Sequence, residues 1–350
     1  MENKKIGIIG VGGIANSVHI PGIEKCSGAE IYAICDINKD TLKSVVDRLG
    51  IPENLRFCDY RELIGCPEVD AVEICTPNYL HVEMALAAAA AKKPFNMEKP
   101  LSISMDTAIA LEEKMKSDFV PNMMCFSYRF KPAVRYAKWI LDRGMIGDIV
   151  NVNVEYLKSS AFWEGRRLDW RFVKEYAGTG VLGDLGVHLI DMAEFLLGNI
   201  KEVSATTEII VKNRKKLDSE EIGEVTTDDY CSFLANFENN IKGTFLITRC
   251  ALGHANTIKY DIYGTKGVIS FDLDHPEVLG VCVGEVDRMS EALHTVNVPH
   301  RFYVEQEQTF ADMINGKECE YLPTLKDGFR SQRILDALLL SDSERKWISI

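Results

Sequence analysis

Three short segments of the sequence combine residue types and spacings that could carry chemistry. The first is the glycine-rich stretch Gly10-Val-Gly-Gly-Ile-Ala15, which directly follows the apolar run Ile6–Ile9. The second is Glu98-Lys99-Pro100, and the third runs from Gly178 to His188. The first segment is typical of a nucleotide-binding turn, while the other two supply an ammonium group, a carboxylate and an imidazole.

The glycine-rich stretch has the GxGxxA spacing of a dinucleotide-binding turn. Gly10 permits a tight turn, Gly12 lets the backbone approach a pyrophosphate, and Ala15 lets the next helix pack closely on the sheet. The free N–H groups at the start of that helix suit an anion. A glycine-rich turn can also be purely structural. The residues that we expect to bind the cofactor here are Gly10, Gly12, Gly13, Ile14 and Ala15.

The context of this turn supports a cofactor site. Asp36 ends the next apolar run, Glu30–Cys35, twenty-one residues after Ala15. A carboxylate at this place can accept hydrogen bonds from the adenosine ribose, and it would repel a 2′-phosphate. The sequence therefore favours NAD over NADP, although Lys39 weakens that preference. The alternative is that Asp36 only begins a turn with Asn38.

Lys99 stands between the apolar run Pro94–Met97 and Pro100. Proline restricts the preceding residue to an extended backbone, and ligands of open α/β sheets bind at the carboxyl ends of the strands. We therefore expect the lysine to point toward a substrate at that edge. A lysine that follows a strand is also commonly a solvated surface charge.

Asp184 and His188 are four residues apart on a predicted helix, Asp184–Leu197, and therefore share one face of it. A dehydrogenase needs a base for the hydroxyl proton while hydride leaves the carbon. Histidine suits that task near neutral pH. The alternative is that Asp184 caps the helix and that His188 packs against a sheet.

An irregular stretch from Tyr156 to Arg171 is rich in aromatic and arginine side chains. Aromatic faces with a few polar groups suit a sugar or inositol ring, which is apolar on its C–H side. The same side chains could instead pack a domain junction. The residues that we expect to bind substrate are Tyr128, Trp163, Arg166 and His188.

The elements that must position these groups follow two patterns. Up to about residue 126, short apolar strands alternate with helices, which predicts a doubly wound parallel sheet, a Rossmann domain. Beyond residue 127, longer alternating strands are joined by tight turns, which predicts an α+β domain with a large, mostly antiparallel open sheet. The first strands expected are Lys5–Ile9, Glu30–Cys35, Asp70–Cys75, Pro94–Met97 and Asn122–Phe126. We predict that residues 1–126 bind NAD(P) and that residues 127–350 bind substrate and form oligomers.

Composition limits the classes of partner. The 350 residues carry a formal net charge of -12, which gives no general attraction for nucleic acid or an anionic membrane. The longest late apolar run, Met84–Ala91, is too short to cross a bilayer. The ten cysteines are scattered without CxxC spacing, which is typical of a reducing compartment and offers no metal site. We predict a cytoplasmic protein without a metal.

The second predicted sheet has helices on only one face. A sheet face that lacks such a cover needs another partner, and a second copy of the chain is the simplest one. The sequence therefore predicts a homodimer or a homotetramer that associates through this sheet.

Taken together, these motifs resemble the glucose–fructose oxidoreductase/inositol dehydrogenase/MocA family. The resemblance includes the motifs discussed above together with Thr76-Pro77-Asn78, His81 and Asp191. It extends over essentially the whole chain, and one departure is Thr179, which stands in the middle of a usual glycine triplet. The further matching segments are Arg129-Phe130, Gly144–Gly147, Asp169-Trp170-Arg171 and Gly264–Gly267.

The resemblance implies roles for individual residues. Lys99 would bind the reacting hydroxyl and lower its pKa, His188 would act as general base, and Asp184 would orient the substrate and the lysine. The residues that would line the cofactor are Thr76, Pro77, Asn78, His81, Glu98 and Lys99. The implied reaction transfers hydride between the nicotinamide and a secondary alcohol or ketone of a sugar, glycoside or inositol, including C3 of a pyranose.

Two other functions are compatible with the same sequence. One is a dihydrodiol or other small-carbonyl dehydrogenase or reductase on the same fold. The other is a non-catalytic protein that senses NAD, because a fold alone does not establish activity. Loss of the lysine or the histidine would be typical of the sensor, and both residues are present.

Overall fold

The structure is a computed structural model that describes residues 3–350, and these residues divide into two compact units. The first unit contains the described residues up to Phe126 and the segment Val304–Phe329. The second unit contains Ser127–Tyr303 and Arg330–Ile350. Residues 304–329 were predicted from the sequence to lie in the second domain, whereas they pack with the first unit.

The first unit is built on a six-stranded parallel sheet, which confirms the predicted Rossmann fold. Its order is β3-β2-β1-β4-β5-β6, so the direction of winding reverses between β1 and β4. Such a reversal opens a crevice at the carboxyl ends of the strands, where ligands bind. The strands are β1 (Lys4–Ile9), β2 (Ala29–Cys35), β3 (Arg56–Phe57), β4 (Ala71–Ile74), β5 (Phe95–Met97) and β6 (Asn122–Met124).

Helices connect these strands as a parallel sheet requires. A π-helical turn, Ala15–His19, leads into the first α-helix at a point where Pro21 has no N–H to donate. Asn38 caps the second helix by accepting the N–H groups of Asp40 and Thr41. The helices are α1 (Ile20–Ile23), α2 (Lys39–Leu49), α3 (Tyr60–Gly65), α4 (His81–Ala90) and α5 (Met105–Ser117).

The second unit contains a nine-stranded sheet of order β16-β15-β14-β13-β7-β12-β11-β8-β17 and a small β9–β10 hairpin. Only the β7–β12 pair is parallel among its described strands, which confirms the predicted mostly antiparallel sheet. The strands are β7 (Ile149–Leu157), β8 (Ile200–Glu208), β9 (Asn213–Lys215), β10 (Ile222–Glu224), β11 (Tyr230–Phe237), β12 (Lys242–Thr248), β13 (Thr257–Gly264), β14 (Gly267–Asp272), β15 (Val278–Val283), β16 (His294–Asn297) and β17 (Ile348–Ser349).

Helices cover the buried face of this sheet. The Tyr260 hydroxyl on β13 donates to the carbonyl of Leu189, and Ile247 on β12 packs beside Gly186. On the opposite face Leu234 is 49% exposed. The helices here are α6 (Pro132–Asp142), α7 (Lys174–Ala177), α8 (Val187–Leu197) and α9 (Gly284–Ser290).

The chain ends with α10 (Gln306–Ile314) in the first unit and α11 (Leu325–Glu344), which has residues in both units. The backbone of Met124 donates to the carbonyl of Pro323, and the Asn122 side chain accepts the N–H of Leu325. These bonds attach the returning segment to β6. Within residues 3–350, no helix combines the length and hydropathy needed to span a membrane.

Candidate active site

The glycine-rich turn follows β1 at the reversal point of the parallel sheet. Gly10 has φ of +86°, and a Cβ there would lie 2.8 Å from the carbonyl oxygen of Cys75, so the position requires glycine. A Cβ on Gly12 or Gly13 would meet no described atom within 4 Å. Ala15 is fully buried while Ile14 is 40% exposed. The turn therefore leaves open space beside its backbone, as a bound pyrophosphate needs.

Asp36 lies at the end of β2 and is half-buried. Its Oδ2 accepts the N–H of Val11 at 3.0 Å, and its Oδ1 accepts the N–H of Asn38 at 2.8 Å. These bonds agree with the alternative that Asp36 begins a turn with Asn38, and the contact with a ribose stays a prediction, for which each carboxylate oxygen can still accept a further bond. The next residue, Ile37, is 85% exposed and was not singled out from the sequence.

The segment Thr76–His81 follows β4, next to the glycine-rich turn. Asn78 is buried at the start of a short helical turn. His81 is fully buried, and its Nδ1 and Nε2 lie 2.7 Å and 2.8 Å from the carbonyl oxygens of Pro100 and Thr76. Burial lowers the pKa of His81. The ring of His81 ties two loops together, and its place at the cofactor stays a prediction.

Lys99 follows β5 in the loop that also bears Glu98 and a cis Lys99–Pro100 peptide bond. Glu98 Oε2 accepts the backbone N–H of Lys99 at 3.1 Å, and Glu98 Oε1 lies 3.0 Å from Nε2 of His19. Glu98 is buried and makes both contacts inside the protein, and its place in the cofactor site stays a prediction. It holds the lysine loop against the first helix.

His19 lies at the centre of a buried cluster that the sequence analysis did not predict. Its Nδ1 is 3.0 Å from Oε1 of Glu307 and 3.6 Å from Oε2 of Glu73. His19, Glu73 and Cys125 bring potential metal-binding atoms within 4.8 Å of one another. Burial raises the pKa of Glu73 well above its usual range, and the Glu307 charge adds to the effect. The spacing of His19 from Ala15, one helical turn, could have indicated a buried position.

In the second unit, a π-helical turn, Leu182–Gly186, carries Asp184 directly into α8. Asp228 fixes the start of this turn, because its carboxylate accepts the N–H groups of Gly180 (2.6 Å) and Leu182 (2.9 Å). A Cβ on Gly180 would lie 2.0 Å from the Asp228 carbonyl oxygen, so only glycine allows this approach. Asp228 was missed from the sequence, where no pattern linked it to the helix start.

His188 lies on α8, is 7% exposed, and meets the ring of Tyr128 edge-on at 4.6 Å between centroids. The Tyr128 hydroxyl is 2.9 Å from that of Tyr156, and both contact the Asn256 side chain. The polar tip of Tyr128 is therefore fixed beside the histidine. Tyr128 and His188, both predicted as substrate-binding residues, thus lie together.

Arg129 anchors the same helix from the segment that carries Tyr128. Its Nε and Nη2 donate to the two oxygens of Asp191 at 2.7 Å and 2.5 Å, and both residues are buried. A bidentate pair of this kind fixes orientation as well as distance. Since Asp191 lies three residues after His188, the pair fixes the rotation of the helix that presents the histidine.

Asp184 is half-exposed, and its Oδ2 lies 3.9 Å from Nη2 of the buried Arg249. Trp163 is 50% exposed, and the guanidinium of Arg166 lies 5.5 Å from its ring centroid. The second unit thus presents a carboxylate, a buried imidazole and an exposed indole. These groups suit binding of a polar ring and removal of a proton.

Two family profiles match the chain. Residues 4–123 match the oxidoreductase family with an NAD-binding Rossmann fold, and residues 134–270 match the GFO/IDH/MocA C-terminal domain. The chain belongs to the GFO/IDH/MocA oxidoreductase family. The match to the NAD-binding fold agrees with the open glycine-rich turn and confirms the prediction of NAD as cofactor.

Several GFO/IDH/MocA relatives are similar over nearly the full chain. The levoglucosan dehydrogenase of Pseudarthrobacter phenanthrenivorans is 29% identical over 91% of this chain and 88% of its own length. The glucose-6-phosphate 3-dehydrogenase of Bacillus subtilis is 28% identical over 99% of both chains. The myo-inositol 2-dehydrogenase of Thermotoga maritima is 27% identical over 90% of this chain and 89% of its own.

Solved structures of family members share the fold. A levoglucosan dehydrogenase in complex with NADH superimposes with a TM-score of 0.90 at 28% identity, covering 100% of this chain and 99% of that one. The same enzyme in complex with NADH and levoglucosan gives a TM-score of 0.89 at 28% identity, covering 100% of both chains. The predicted NAD-dependent sugar or inositol dehydrogenase class is therefore confirmed at the level of relatives.

Proposed function

We propose that this protein is an NAD-dependent dehydrogenase that oxidises a secondary alcohol of a sugar, glycoside or inositol, or reduces the corresponding ketone. One observation carries the proposal: α8 presents His188 one turn after Asp184, with the ring held by Tyr128. A buried imidazole on a fixed helix, with a carboxylate four residues earlier in the chain, suits a general base. The names of the relatives support substrates with ring hydroxyls.

The residues around the glycine-rich turn fit a bound dinucleotide. The open space beside Gly12 suits a pyrophosphate, and the carboxylate of Asp36 suits the adenosine ribose. NAD, when bound, supplies the acceptor for hydride. The residues that we propose to hold it are Gly10, Gly12, Gly13, Ile14, Ala15, Asp36, Thr76, Pro77 and Asn78.

The chain's own residues handle the proton. We propose that the Lys99 ammonium binds the reacting hydroxyl oxygen and stabilises its developing negative charge. His188 then takes the hydroxyl proton, and Asp184 orients the substrate. Glu98 and His81 act indirectly, because both hold the loop that carries Lys99.

Tyr128 and Trp163 are the proposed contacts for the apolar face of the substrate ring. Trp163 is half-exposed and Tyr128 carries a fixed hydroxyl, so one supplies a stacking face and the other a hydrogen bond. We further propose a cytoplasmic homodimer or homotetramer, associated through the face of the large sheet that bears Leu234.

Turnover tests this function directly. The purified protein is mixed with NAD or NADP and a panel of pyranoses, glycosides, sugar phosphates, sugar acids and inositols, and absorbance of reduced nicotinamide is followed. We expect turnover on one class of ring alcohol, with NAD preferred. Tight NADH binding without turnover on any member would support the sensor function instead.

A further inference from the structure

Three arginine side chains surround one buried aromatic ring in the second unit. The guanidinium carbons of Arg214, Arg166 and Arg249 lie 4.3 Å, 5.1 Å and 5.5 Å from the ring centroid of Phe172, which is fully buried. The three like charges thus share one largely buried region, where like charges repel one another more strongly than in water. The cluster therefore requires compensation by negative charge.

The carboxylates nearest to Arg249 do not fully supply that charge. Arg249 is 2% exposed, and its closest carboxylate oxygens belong to Asp229 and Asp184, at 3.8 Å and 3.9 Å. Both distances exceed that of a direct hydrogen bond. Among residues 3–350, Nη1 and Nη2 of Arg249 have no hydrogen-bond partner. Oδ1 of Asp229 is likewise buried without a hydrogen-bond partner in this part of the chain, so Arg249 and Asp229 form a loose ion pair inside the protein, and Arg249 does not itself reach a ligand.

The other acidic groups near the cluster make only limited contact with it. Asp229 accepts the N–H of Val211 through Oδ2, which leaves only Oδ1 toward Arg249, and both oxygens of Asp228 cap the turn before α8. Asp169 accepts the N–H of Arg171 and lies 3.8 Å from its guanidinium. Arg214 donates only to the carbonyl oxygens of Ala161 and Arg166, within the described part of the chain.

Arg166 is the accessible member of the cluster. Its guanidinium is half-buried between the rings of Trp163 and Phe172, and it forms no hydrogen bond or ion pair with any residue that the structure describes. Burial lowers the pKa of Arg166, and the charge of Arg249 lowers it further against the opposing effect of Asp169. An arginine held in this way gains most from an oxyanion ligand.

The cluster adjoins the proposed substrate site. Arg249 approaches Asp184, the carboxylate that we propose to orient the substrate, and Arg166 packs on Trp163, the proposed stacking face. Arg166 is thus near enough to Trp163 for one substrate molecule to place its anionic group on Arg166 and its ring against Trp163. Lys158, 5.9 Å from that ring, adds a further cation.

We propose that Arg166, supported by Arg249 and Arg214, binds an anionic group of the substrate, so that the preferred substrate is a sugar bearing a phosphate or a carboxylate. The proposal rests on the proposed dehydrogenase function and specifies its substrate class. The guanidinium plane of Arg166 binds two oxyanion oxygens, while Trp163 packs against the C–H face of the ring.

Matched substrates test this inference. For one pyranose, kcat/KM is measured for the neutral sugar, its phosphate ester and its uronic acid, with wild type, Arg166→Gln, Arg166→Lys and Arg167→Gln. Arg167 is the matched control, because its guanidinium already pairs with Glu220. We expect wild type and Arg167→Gln to prefer one charged sugar over the neutral one by about tenfold or more.

The variants separate a binding role from a structural one. Arg166→Gln should lose about tenfold to a hundredfold of the preference for the anionic sugar, mainly through KM, and Arg166→Lys should recover part of it. The preferred ester or acid identifies the anion as phosphate or carboxylate. Equal kcat/KM for neutral and charged sugars in wild type would overturn the inference and leave the dehydrogenase function intact.

A second readout does not depend on turnover. We expect inorganic phosphate or glucuronate to raise the melting temperature of wild type and Arg167→Gln, but not of Arg166→Gln. If no sugar is oxidised, the proposed dehydrogenase function fails. The shift in melting temperature then shows by itself whether Arg166 binds an anion. A shift of equal size in all three proteins, or no shift in any, would refute the site.

Discussion

The imidazole of His19 bridges two carboxylates inside the first unit: Nε2 lies 3.0 Å from Oε1 of Glu98. On the other side of the ring, Nδ1 lies 3.0 Å from Oε1 of Glu307. Nε2 has hydrogen-bond geometry to Glu98, whereas Nδ1 is buried without a hydrogen-bond partner among the described residues, so its approach to Glu307 is an ion-pair contact that favours the protonated ring. Because Glu98 also accepts the N–H of Lys99, His19 links the π-helical turn before α1 to the lysine loop.

We expect His19→Gln to destabilise the first unit by about 3 to 5 kcal/mol, because it leaves buried carboxylates without their cation. Burial alone would lower the pKa of His19, but the acidic groups Cys75, Cys125 and Glu307 raise it well above 6.5. Stabilisation by a raised pKa is fully present below about pH 6.5 and is lost as pH rises through the folded-state pKa.

Urea unfolding of wild type and His19→Gln at pH 6, 7.5 and 9 checks this prediction. The difference in unfolding free energy should be largest at pH 6 and should shrink toward pH 9. His275→Gln is the control, because the His275 side chain is 72% exposed. A difference that does not vary with pH would mean that the buried ring is neutral.

Gly12→Ala should weaken cofactor binding without harming the fold. A Cβ at Gly12 meets no described protein atom within 4 Å, so the methyl group enters only the space proposed for the pyrophosphate. We expect the NADH dissociation constant to rise about tenfold or more while the melting temperature stays unchanged. Gly65→Ala, whose Cβ is also unobstructed, is the matched control for calorimetric titration. Unchanged NADH affinity would place the cofactor elsewhere.

Asp36→Asn should shift the choice of cofactor toward NADP. The amide removes the charge that repels a 2′-phosphate but keeps one oxygen for the N–H of Val11 or Asn38. We expect the NADP/NAD ratio of kcat/KM to rise about tenfold, and Asp47→Asn on α2 to leave it unchanged. If the ratio does not move, Asp36 serves only the turn.

Lys99→Met and His188→Ala should bind NADH normally and lose turnover by about a hundredfold to ten-thousandfold, as expected when a group that handles the proton is removed. Lys116→Met and His275→Ala change exposed residues of the same types and should keep wild-type rates. Steady-state kinetics and NADH titration separate the two effects. A variant with near-wild-type turnover would remove that residue from the mechanism.

Light scattering should give the mass of a dimer or a tetramer for the wild-type protein. We expect Leu234→Glu to lower that mass, because it places charge on the sheet face proposed for association. Leu217→Glu changes a leucine of similar exposure outside the large sheet and should leave the mass unchanged. A monomeric wild-type protein would contradict the proposed assembly.

The alternating strands of the first unit could be predicted because each is an apolar run bounded by turn residues. β3 and α3 were missed, since two and six residues are too few to show periodicity. The return of residues 304–329 to the first unit also escaped prediction. It depends on bonds such as that from Leu325 to Asn122, which join residues 203 positions apart.

The sequence alone determined the glycine-rich turn, the position of Asp36 after β2, the lysine loop and the helical segment that carries Asp184 and His188, because these depend on local spacing along one strand end or one helix. Only the tertiary structure decided which groups support them. His19, Asp228 and Arg249 reach their partners across the fold, and no local pattern encodes contacts between distant segments. Because these side chains are buried, their contacts matter for stability, since a charge removed from water without a partner costs free energy.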